Sequence, residues 1–533
     1  MAKTNQKQTF LGGAAVLAVA TAIVKIIGAC YKIPLNQLIG DEGFGYFNTA
    51  YDIYSVLLMV STTGLPVAMS RMISEAGTLG RTRQIRRIFQ TARLVFLTIG
   101  LVGTGGMMLL CRQLAAMMSQ ELSWFAILCL SPAVLFICLI SAERGFFQGQ
   151  GNMIPTSVSQ VFEAVFKLVV GLGAAYLINK KTGSMAYAAG GAILGVTLGT
   201  LFSTIYLALI RRRAMAELMT ECPDPTVFSR RSTAKKLLAI AIPITLGAAG
   251  LQIITTIDAA VYMYQLKGAA GMAAEADRLK GIYNFCQTIF NLPCAFITPL
   301  TISVIPAITE QLTLRRRKSA NMVAESAVRV MSLIAMPCSV GLAVLSEPIM
   351  RLLGGYTEAR LTLASTLMSI LGFCVFFNSF VLVMNAIMQA HGYVYTPVVT
   401  MILGGIVKII INAILVGNPK INIVGAPIGT LICYVMISCL NLWALHRLLR
   451  RPPRLLINLY KPAIAAALMG GVAFLVNRLC LALELPLLVR TAGSILVAGA
   501  VYVGLVLVLR IITADDCRLL PKGDKIARLL RIQ

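Results

Sequence analysis

The chain alternates between long apolar runs and short polar breaks along most of its 533 residues. About 20 apolar residues cross the hydrocarbon core of a bilayer as a helix. Backbone N–H and C=O groups find no water there, so each spanning segment must satisfy them internally, which favours helices. The pattern predicts fourteen spanning helices. We place them at residues 10–37, 46–70, 88–111, 123–142, 154–178, 186–210, 236–264, 282–309, 328–350, 361–389, 397–416, 422–445, 461–477 and 487–512.

Composition supports an all-α integral membrane protein. The chain is 58% hydrophobic and 13% charged, whereas soluble domains carry about 25% charged residues. The first apolar run is too long for a signal-peptide core, and we expect it to be a retained spanning helix. Most of the thirteen cysteines lie singly inside apolar runs, without metal-ligand spacing. The sequence therefore predicts no metal site and no cofactor.

The net charge of +26 has two interpretations, a nucleic-acid partner or a membrane topology signal. Lys and Arg residues concentrate in alternate loops: 32 fall in the two tails and one set of loops, against 11 in the opposite loops. Cytoplasmic loops carry such an excess. The asymmetry favours the membrane interpretation, predicts that both termini are cytoplasmic, and gives no reason to expect nucleic-acid binding.

The longest polar break, at residues 211–236, divides the predicted helices. Pro223 and Pro225 discourage a continuous helix through it. We therefore expect an N-lobe of six helices at 1–210 and a cytoplasmic linker at 211–236. A C-lobe of six helices follows at 237–450, and residues 451–533 supply helices thirteen and fourteen and a cytoplasmic tail.

Short motifs recur in the two predicted lobes. Residues 148–151 read Gln-Gly-Gln-Gly and residues 389–392 read Gln-Ala-His-Gly, and a lysine lies nineteen residues after the first Gln in both cases. Gly-Ala-Ile-Leu-Gly at 191–195 is echoed by Gly-Ala-Pro-Ile-Gly at 425–429. The order of the matches predicts duplicated, pseudo-symmetric lobes, an arrangement in which many transporters place a substrate site between the repeats.

Two lysines inside the first predicted helix are candidate substrate-binding residues. Lys25 lies at mid-span, and Lys32 follows two turns later on the same helix face. Ionisable residues inside a membrane are costly and usually face a cavity or a partner. A cationic stripe for an anionic headgroup is one interpretation. Pairing with a neighbouring helix is the other, and Lys32 could also extend outward to the membrane surface.

Two carboxylates are further candidates. Asp258 lies inside the seventh helix, where it could bind a cation, take up a proton or pair with Lys25. Asp52 lies nearer the outer end of the second helix and is either solvated or in contact with Lys32. Both are predicted transport residues.

Polar side chains also recur along one face of the eighth helix, at Asn284, Gln287 and Asn291. The stripe predicts a wet cavity, with interhelical hydrogen bonding as the alternative. Catalysis finds little support, because the two histidines, His391 and His446, belong to no cluster with carboxylates. We therefore expect the protein not to be an enzyme.

A third set of charges could couple transport to an ion or form structural pairs. Glu163 and Lys167 lie four residues apart on the fifth helix, a spacing that allows an intrahelical ion pair. Lys408 occupies the matching place in the second lobe, where Gly404 replaces the acid. Lys408 must therefore find a partner elsewhere, or water.

Several segments resemble the stage V sporulation protein B/YtgP group of polysaccharide-biosynthesis proteins. They lie at 8–54, 61–76, 144–167, 238–247 and 302–311, and the likeness extends over essentially the whole chain. This group belongs to the MOP superfamily, which also contains MurJ-type lipid II flippases, oligosaccharide-lipid flippases and MATE exporters.

The resemblance implies alternating access through a central cavity lined by helices one, two, seven and eight. It also implies an undecaprenyl-pyrophosphate-linked sugar as substrate. MurJ-type relatives carry a functionally important basic residue in the middle of helix one, where Lys25 falls. They also carry arginines in helix two. At about that level this chain has Met59 and Val60, and Arg71 lies at the end of the helix. Lys32 could compensate for the difference.

The resulting hypothesis is a multi-pass flippase of the bacterial cytoplasmic membrane that moves lipid II for peptidoglycan synthesis. The alternatives are a flippase for another lipid-linked polysaccharide and, further away, a MATE-like cation-coupled exporter. Coupling to Na⁺, to H⁺ or to the membrane potential stays open at this point. The expected partners are the glycan lipid, membrane lipids and the cell-wall synthesis machinery.

Overall fold

The computed structural model describes residues 10–219, 228–449, 452–509 and 511. Their regular structure is helical, with no strand among these residues. Seventeen α-helices follow one another along the chain. They are α1 Phe10–Thr62, α2 Gly64–Thr78, α3 Thr82–Leu109, α4 Cys111–Met117, α5 Trp124–Gly149, α6 Ile154–Phe166, α7 Leu172–Thr182, α8 Met185–Met219, α9 Arg230–Lys267, α10 Ala276–Thr313, α11 Arg317–Val344, α12 Ser346–Gly354, α13 Glu358–Ala390, α14 Tyr395–Val416, α15 Gly425–Leu448, α16 Tyr460–Ala482 and α17 Leu487–Val508.

Thirteen helical stretches among the described residues are long and apolar enough to cross a membrane. The first of them, Ile23–Thr78, contains Gly40, whose φ of 69° and ψ of 174° break the helix. Gly40 therefore separates the predicted first and second spans, and the fourteen predicted segments each have a helical counterpart. The prediction of an all-α membrane protein is confirmed.

Several helices extend beyond the predicted spans. The apolar run predicted a start at residue 282 for the eighth span, but α10 begins at Ala276 and carries Asp277 in its first turn. An acidic side chain there interacts favourably with the helix dipole, which explains why a polar segment continues the helix. The extension places Lys280 within α10.

The part of the predicted linker that the structure describes is largely helical. In the order of the chain, α8 continues to Met219 and α9 starts at Arg230. The backbone N–H of Phe228 donates to Gln84 on α3 at 2.9 Å. Residues 220–227, with both prolines, lie outside the described residues, as does most of the predicted tail from residue 510.

Packing divides the chain into two compact units. One contains the chain to Lys267 together with Ala273–Gly281, and the other contains Gly268–Met272 and the chain from Ile282. This boundary falls later than the predicted linker, because α9 packs against α1, α2 and α3. At Gly64 the absence of a side chain brings α2 against the backbone of α9.

The two units have separate interiors. In the first unit, α5 is central and packs against α1, α2, α3 and α8. In the second unit, buried residues of α10, α11, α13 and α15 form one apolar cluster.

The repeated motifs adopt the same local structure in both units. Gly151 follows the end of α5 at φ 77°, and Gly392 follows the end of α13 at φ 89°. In each case the glycine N–H donates to the carbonyl of the first motif Gln at 3.0 Å. This left-handed helix terminus favours glycine. The shared geometry supports an internal repeat.

These two glycines generate a stability prediction. A Cβ added at Gly151 would meet no atom within 4 Å, so its cost comes from the left-handed backbone alone. Gly151→Ala and Gly392→Ala should each lower the free energy of unfolding by about 1–2 kcal/mol, measured by denaturant titration in detergent micelles. Gly105→Ala is the matched control, because Gly105 lies within helical α3 with equally open surroundings. Equal stability of all three variants would contradict the repeat geometry.

Candidate functional site

The first unit places Lys167 among aromatic rings. Its Nζ atom lies 5.0 Å from the ring centroid of Tyr31, 5.8 Å from that of Phe47 and 4.6 Å from that of Tyr51. All three rings belong to α1. An ammonium within about 6 Å of a ring face is stabilised by the quadrupole of the ring. The cation is therefore held in a membrane-spanning bundle without a carboxylate in contact with it.

Lys167 lies at the start of a π-helical turn that packs against α8. Residues Lys167–Gly171 form this turn between α6 and α7. A Cβ on Gly171 would lie 2.8 Å from the carbonyl oxygen of Ala192, and a Cβ on Gly195 would lie 2.4 Å from the backbone nitrogen of Gly171. The two glycines thus let the turn lie against α8. Such π-turns often occur at functional sites.

Lys32 lies close to Lys167. Its Nζ atom donates to Oδ1 of Asn48 at 3.5 Å, and its charge interacts with those of Asp52 and Lys167. Lys25 lies two turns earlier on α1 and is exposed. Lys25 and Lys32 both lie on α1, and Lys167 from another helix lies near Lys32. The cationic stripe stays a prediction.

The third lysine of the site, Lys280, is fully buried at the start of α10. Its Nζ atom lies 3.5 Å from Oδ2 of Asp52 and donates to Oγ1 of Thr49 at 2.6 Å. The Asp52 side chain is 33% exposed, so the pair is only partly shielded from solvent. Asp52 is therefore paired rather than merely solvated, and its close partner is Lys280.

Asp258 is buried on α9 and interacts electrostatically with Asp52. Asn48 lies one turn before Asp52 on α1. Thr256 on α9 donates to the backbone carbonyl of Asp52 at 3.1 Å. The structure therefore brings together Lys32, Asp52 and Asp258 from the predicted site residues. For the remaining discussion, the lysine cluster means Lys32, Lys167 and Lys280.

The polar stripe of α10 falls in the second unit. Asn284 is buried, Gln287 is half-buried and Asn291 is exposed. The Nδ2 atom of Asn284 has no hydrogen-bond partner among the described residues. A buried amide without a partner is costly, and it marks a place where a polar ligand or water would be stabilised.

The predicted pairing of Glu163 with Lys167 is wrong. Glu163 instead contacts Arg144 on α5, with 2.5 Å between Oε1 and Nη2, while Arg144 also donates to Ser159. The α-helical spacing between Glu163 and Lys167 is intact, since the backbone N–H of Lys167 bonds the carbonyl of Glu163. Arg144, from another helix, takes the carboxylate instead. Glu163 is thereby held by a neighbouring helix.

Lys408 lies half-buried on α14 in the second unit. Its charge interacts with the side chains of Tyr434 on α15 and Cys374 on α13. The repeat-related Lys167 also faces tyrosines. Both copies therefore place a lysine beside an aromatic side chain of their own unit.

Two residues that form ion pairs with the predicted site residues, Lys280 and Arg144, are absent from the prediction. Lys280 precedes the predicted span that starts at residue 282, and Arg144 follows the span that ends at residue 142. A signal for Lys280 existed, since it precedes Asn284 by one helical turn and extends the same polar face. No comparable pattern marks Arg144, because its partner lies on another helix.

The arrangement is suited to binding an anion. Ammonium groups from three helical segments meet here, and Asp52, which interacts with Lys32 and Lys280, compensates them only in part. Unit charges 4 Å apart interact by about 4 kcal/mol at an effective dielectric of 20. Among the described residues, no group of three or more His, Cys, Asp and Glu side chains could hold a metal ion.

The fold and the site define a multi-pass membrane transporter. The model of the polysaccharide biosynthesis protein family matches residues 10–312, and a second model, MatE, matches residues 280–414. The chain belongs to the polysaccharide biosynthesis protein family, within the MOP superfamily. It is a multi-pass protein of a bacterial cytoplasmic membrane.

Three proteins of Bacillus subtilis (strain 168) are similar to this chain. The uncharacterized membrane protein YabM is 26% identical over 97% of this chain and 96% of its own. Stage V sporulation protein B is 24% identical over 97% of this chain and 98% of its own. The lipid II flippase MurJ is 25% identical over 80% of each chain.

Solved structures share the fold. The lipid II flippase MurJ in an inward closed conformation aligns with a TM-score of 0.69 and 15% identity, covering 93% of this chain and 98% of its own. An inward-facing multidrug resistance MATE family transporter of the MOP superfamily aligns with a TM-score of 0.62 and 16% identity, covering 80% and 98%. The fold is thus common to flippases and drug transporters.

The pair of Asp52 and Lys280 generates a second prediction. Asp52→Asn leaves a fully buried ammonium without its carboxylate, which should lower the free energy of unfolding by about 2 kcal/mol. The loss is smaller than for a fully buried pair because the Asp52 side chain is 33% exposed. Adding Lys280→Met to this variant should restore most of the lost free energy of unfolding. Denaturant titration in micelles measures both changes.

The control is the pair of Glu75 and Lys236, whose side chains are both 53% exposed at a separation of 3.0 Å. Glu75→Gln should change stability by less than about 1 kcal/mol. If Asp52→Asn were no more destabilising than Glu75→Gln, the buried pair would not hold the site together.

Proposed function

We propose that the protein is a flippase that carries an undecaprenyl-pyrophosphate-linked glycan precursor from the inner to the outer leaflet by alternating access. It is a transporter and not an enzyme. Lipid II for peptidoglycan synthesis is the substrate we favour. The observation that carries the proposal is the lysine cluster, because three ammonium groups inside a membrane-spanning bundle match the charge of a pyrophosphate.

The chemistry of lysine suits a substrate that must be both captured and released. Each ammonium is a compact point charge with three donors on a flexible stem. Lys32, Lys167 and Lys280 lie on three separate segments, α1, the π-turn and α10. A change in helix packing would separate them and release the phosphate groups. The prenyl tail would stay in lipid throughout.

The carboxylates complete this cycle. Asp52 pairs with Lys280, and an arriving pyrophosphate would take the place of Asp52 beside the ammonium. After release, Asp52 would return to Lys280 and reset the transporter. Asp258 is the buried carboxylate through which H⁺ or Na⁺ would couple to this exchange, with the membrane potential acting on the net charge of the site.

A flippase for another lipid-linked polysaccharide is the second candidate. The family description and the likeness to stage V sporulation protein B favour it. A MATE-like exporter of cationic drugs has support from the fold, but a cluster of lysines repels cations. We therefore place the exporter last.

Reconstituted flipping tests the proposal. Proteoliposomes with fluorescent lipid II are exposed to a membrane-impermeant reagent that modifies the headgroup, and the accessible fraction is followed over time. Wild-type protein should expose the headgroup, and Lys32→Gln and Lys167→Gln should each lower the rate about tenfold. Loss of one ammonium weakens the electrostatic capture of the pyrophosphate by on the order of 1.4 kcal/mol, the equivalent of a factor of ten.

Lys236→Gln serves as the control, because Lys236 is an exposed lysine with an exposed partner. A parallel assay with a different undecaprenyl-pyrophosphate-linked sugar separates the two flippase candidates. Movement of that lipid alone would favour the second candidate. Movement of neither lipid, or full activity of Lys167→Gln, would overturn the proposal.

The charge asymmetry of the loops supports a topology with both termini cytoplasmic, where the protein would also meet the cytoplasmic side of the cell-wall synthesis machinery. Fusions of alkaline phosphatase and of green fluorescent protein to the C-terminus test this. The fluorescent fusion should be bright and the phosphatase fusion inactive. The reverse result would contradict the positive-inside assignment.

A further inference from the structure

A basic pocket lies in the first unit, where α3 begins and α8 ends. It has a volume of about 640 Å³ and is bounded by α3, α5 and α8. Four arginines line it: Arg86 and Arg93 from α3, and Arg211 and Arg212 from α8. Among the described lining residues none is acidic. This pocket does not include the lysine cluster or any other residue of the transport site.

Arg211 is the fixed member of the group. Its Nε atom donates to Oε2 of Glu143 on α5 at 2.8 Å, and its guanidinium lies 4.7 Å from the ring centroid of Phe89 on α3. Glu143 is only 3% exposed and lies behind the pocket. Glu143 therefore orients Arg211, and the contacts of Arg211 join α3, α5 and α8.

The other three arginines are exposed and form no ion pair with the described residues. Arg86 and Arg93 lie seven residues apart, with Gln90 between them, on one face of α3. The charge of Arg93 also interacts with that of buried Glu143, so the pocket presents three exposed guanidinium groups, one of them partly compensated. A guanidinium binds phosphate oxygens through two parallel hydrogen bonds, so an anion with phosphate groups is the matching ligand.

Apolar stripes lead away from the arginines along both helices. On α3, Leu94 lines the pocket and is 59% exposed, and exposed Leu101 follows seven residues later. On α8, Leu209 and Ile205 are exposed within the two turns that precede Arg212. These side chains lie in membrane-spanning helices, where the exposed surface meets lipid. A soluble anion would use the arginines but not the stripes.

We propose that this pocket binds the headgroup of an anionic phospholipid, with the acyl chains lying along the two apolar stripes. Basic pockets between membrane helices on the cytoplasmic side are suited to such headgroups. The lipid would join α3 to α8 at the membrane surface. The site is separate from the transport site and does not depend on the proposed substrate.

Lipid binding to purified protein tests the proposal. The full chain in detergent is titrated with phosphatidylglycerol, cardiolipin or phosphatidylcholine, and bound lipid is counted by native mass spectrometry. Wild-type protein should prefer both anionic lipids. The triple variant Arg86→Gln, Arg93→Gln, Arg212→Gln should bind them on the order of a hundredfold more weakly, at about fivefold per arginine. Arg211 is left unchanged because it neutralises buried Glu143.

The matched control is Arg83→Gln with Arg213→Gln, which removes exposed arginines from the same two helices outside the pocket. It should bind anionic lipid within about twofold of wild type. If the triple variant fails to fold, the single variant Arg93→Gln takes its place, with about a fivefold loss expected. The proposal is overturned if the variants and the control bind equally, if phosphatidylcholine binds as well, or if inorganic phosphate or an acidic peptide displaces the lipid.

Discussion

Charge inside a membrane-spanning bundle is the constraint on which this structure depends. An ammonium group removed from water must find a carboxylate, a hydroxyl or an aromatic face, and the lysine cluster uses all three. Lys280 contacts Asp52 and Thr49, whereas Lys167 lies among three rings of α1. These partners hold the cations in the bundle and leave part of their charge uncompensated, which is the property that an anionic substrate requires.

Helix geometry follows from the same requirement. Lys167 lies at the start of a π-turn, and Gly171 and Gly195 let this turn and α8 approach closely. The start of α10 extends beyond its apolar run, and the extension carries Lys280 to Asp52. In both places a local departure from a simple apolar helix positions a charge. The same sequence features therefore shape the helices and position the charges of the site.

The helices could be predicted because a membrane imposes length and apolarity on every span, and the repeat could be predicted because its glycines have a fixed backbone role. Lys32, Asp52 and Asp258 stood out as charges inside apolar runs. Lys280 did not, since hydropathy cannot show how far a polar segment continues a helix. Nor could spacing alone reveal that Glu163 pairs with Arg144, because the competing partner comes from another helix.

The central claim is that the lysine cluster recruits pyrophosphate. Its most direct test compares two lipids with the same sugar and the same prenyl chain, one joined through pyrophosphate and one through an uncharged linkage. Their transbilayer movement is measured in the same proteoliposomes. The account predicts that the protein moves the pyrophosphate-linked lipid at least about tenfold faster, since only that lipid engages the ammonium groups. Equal rates for the two lipids would contradict it.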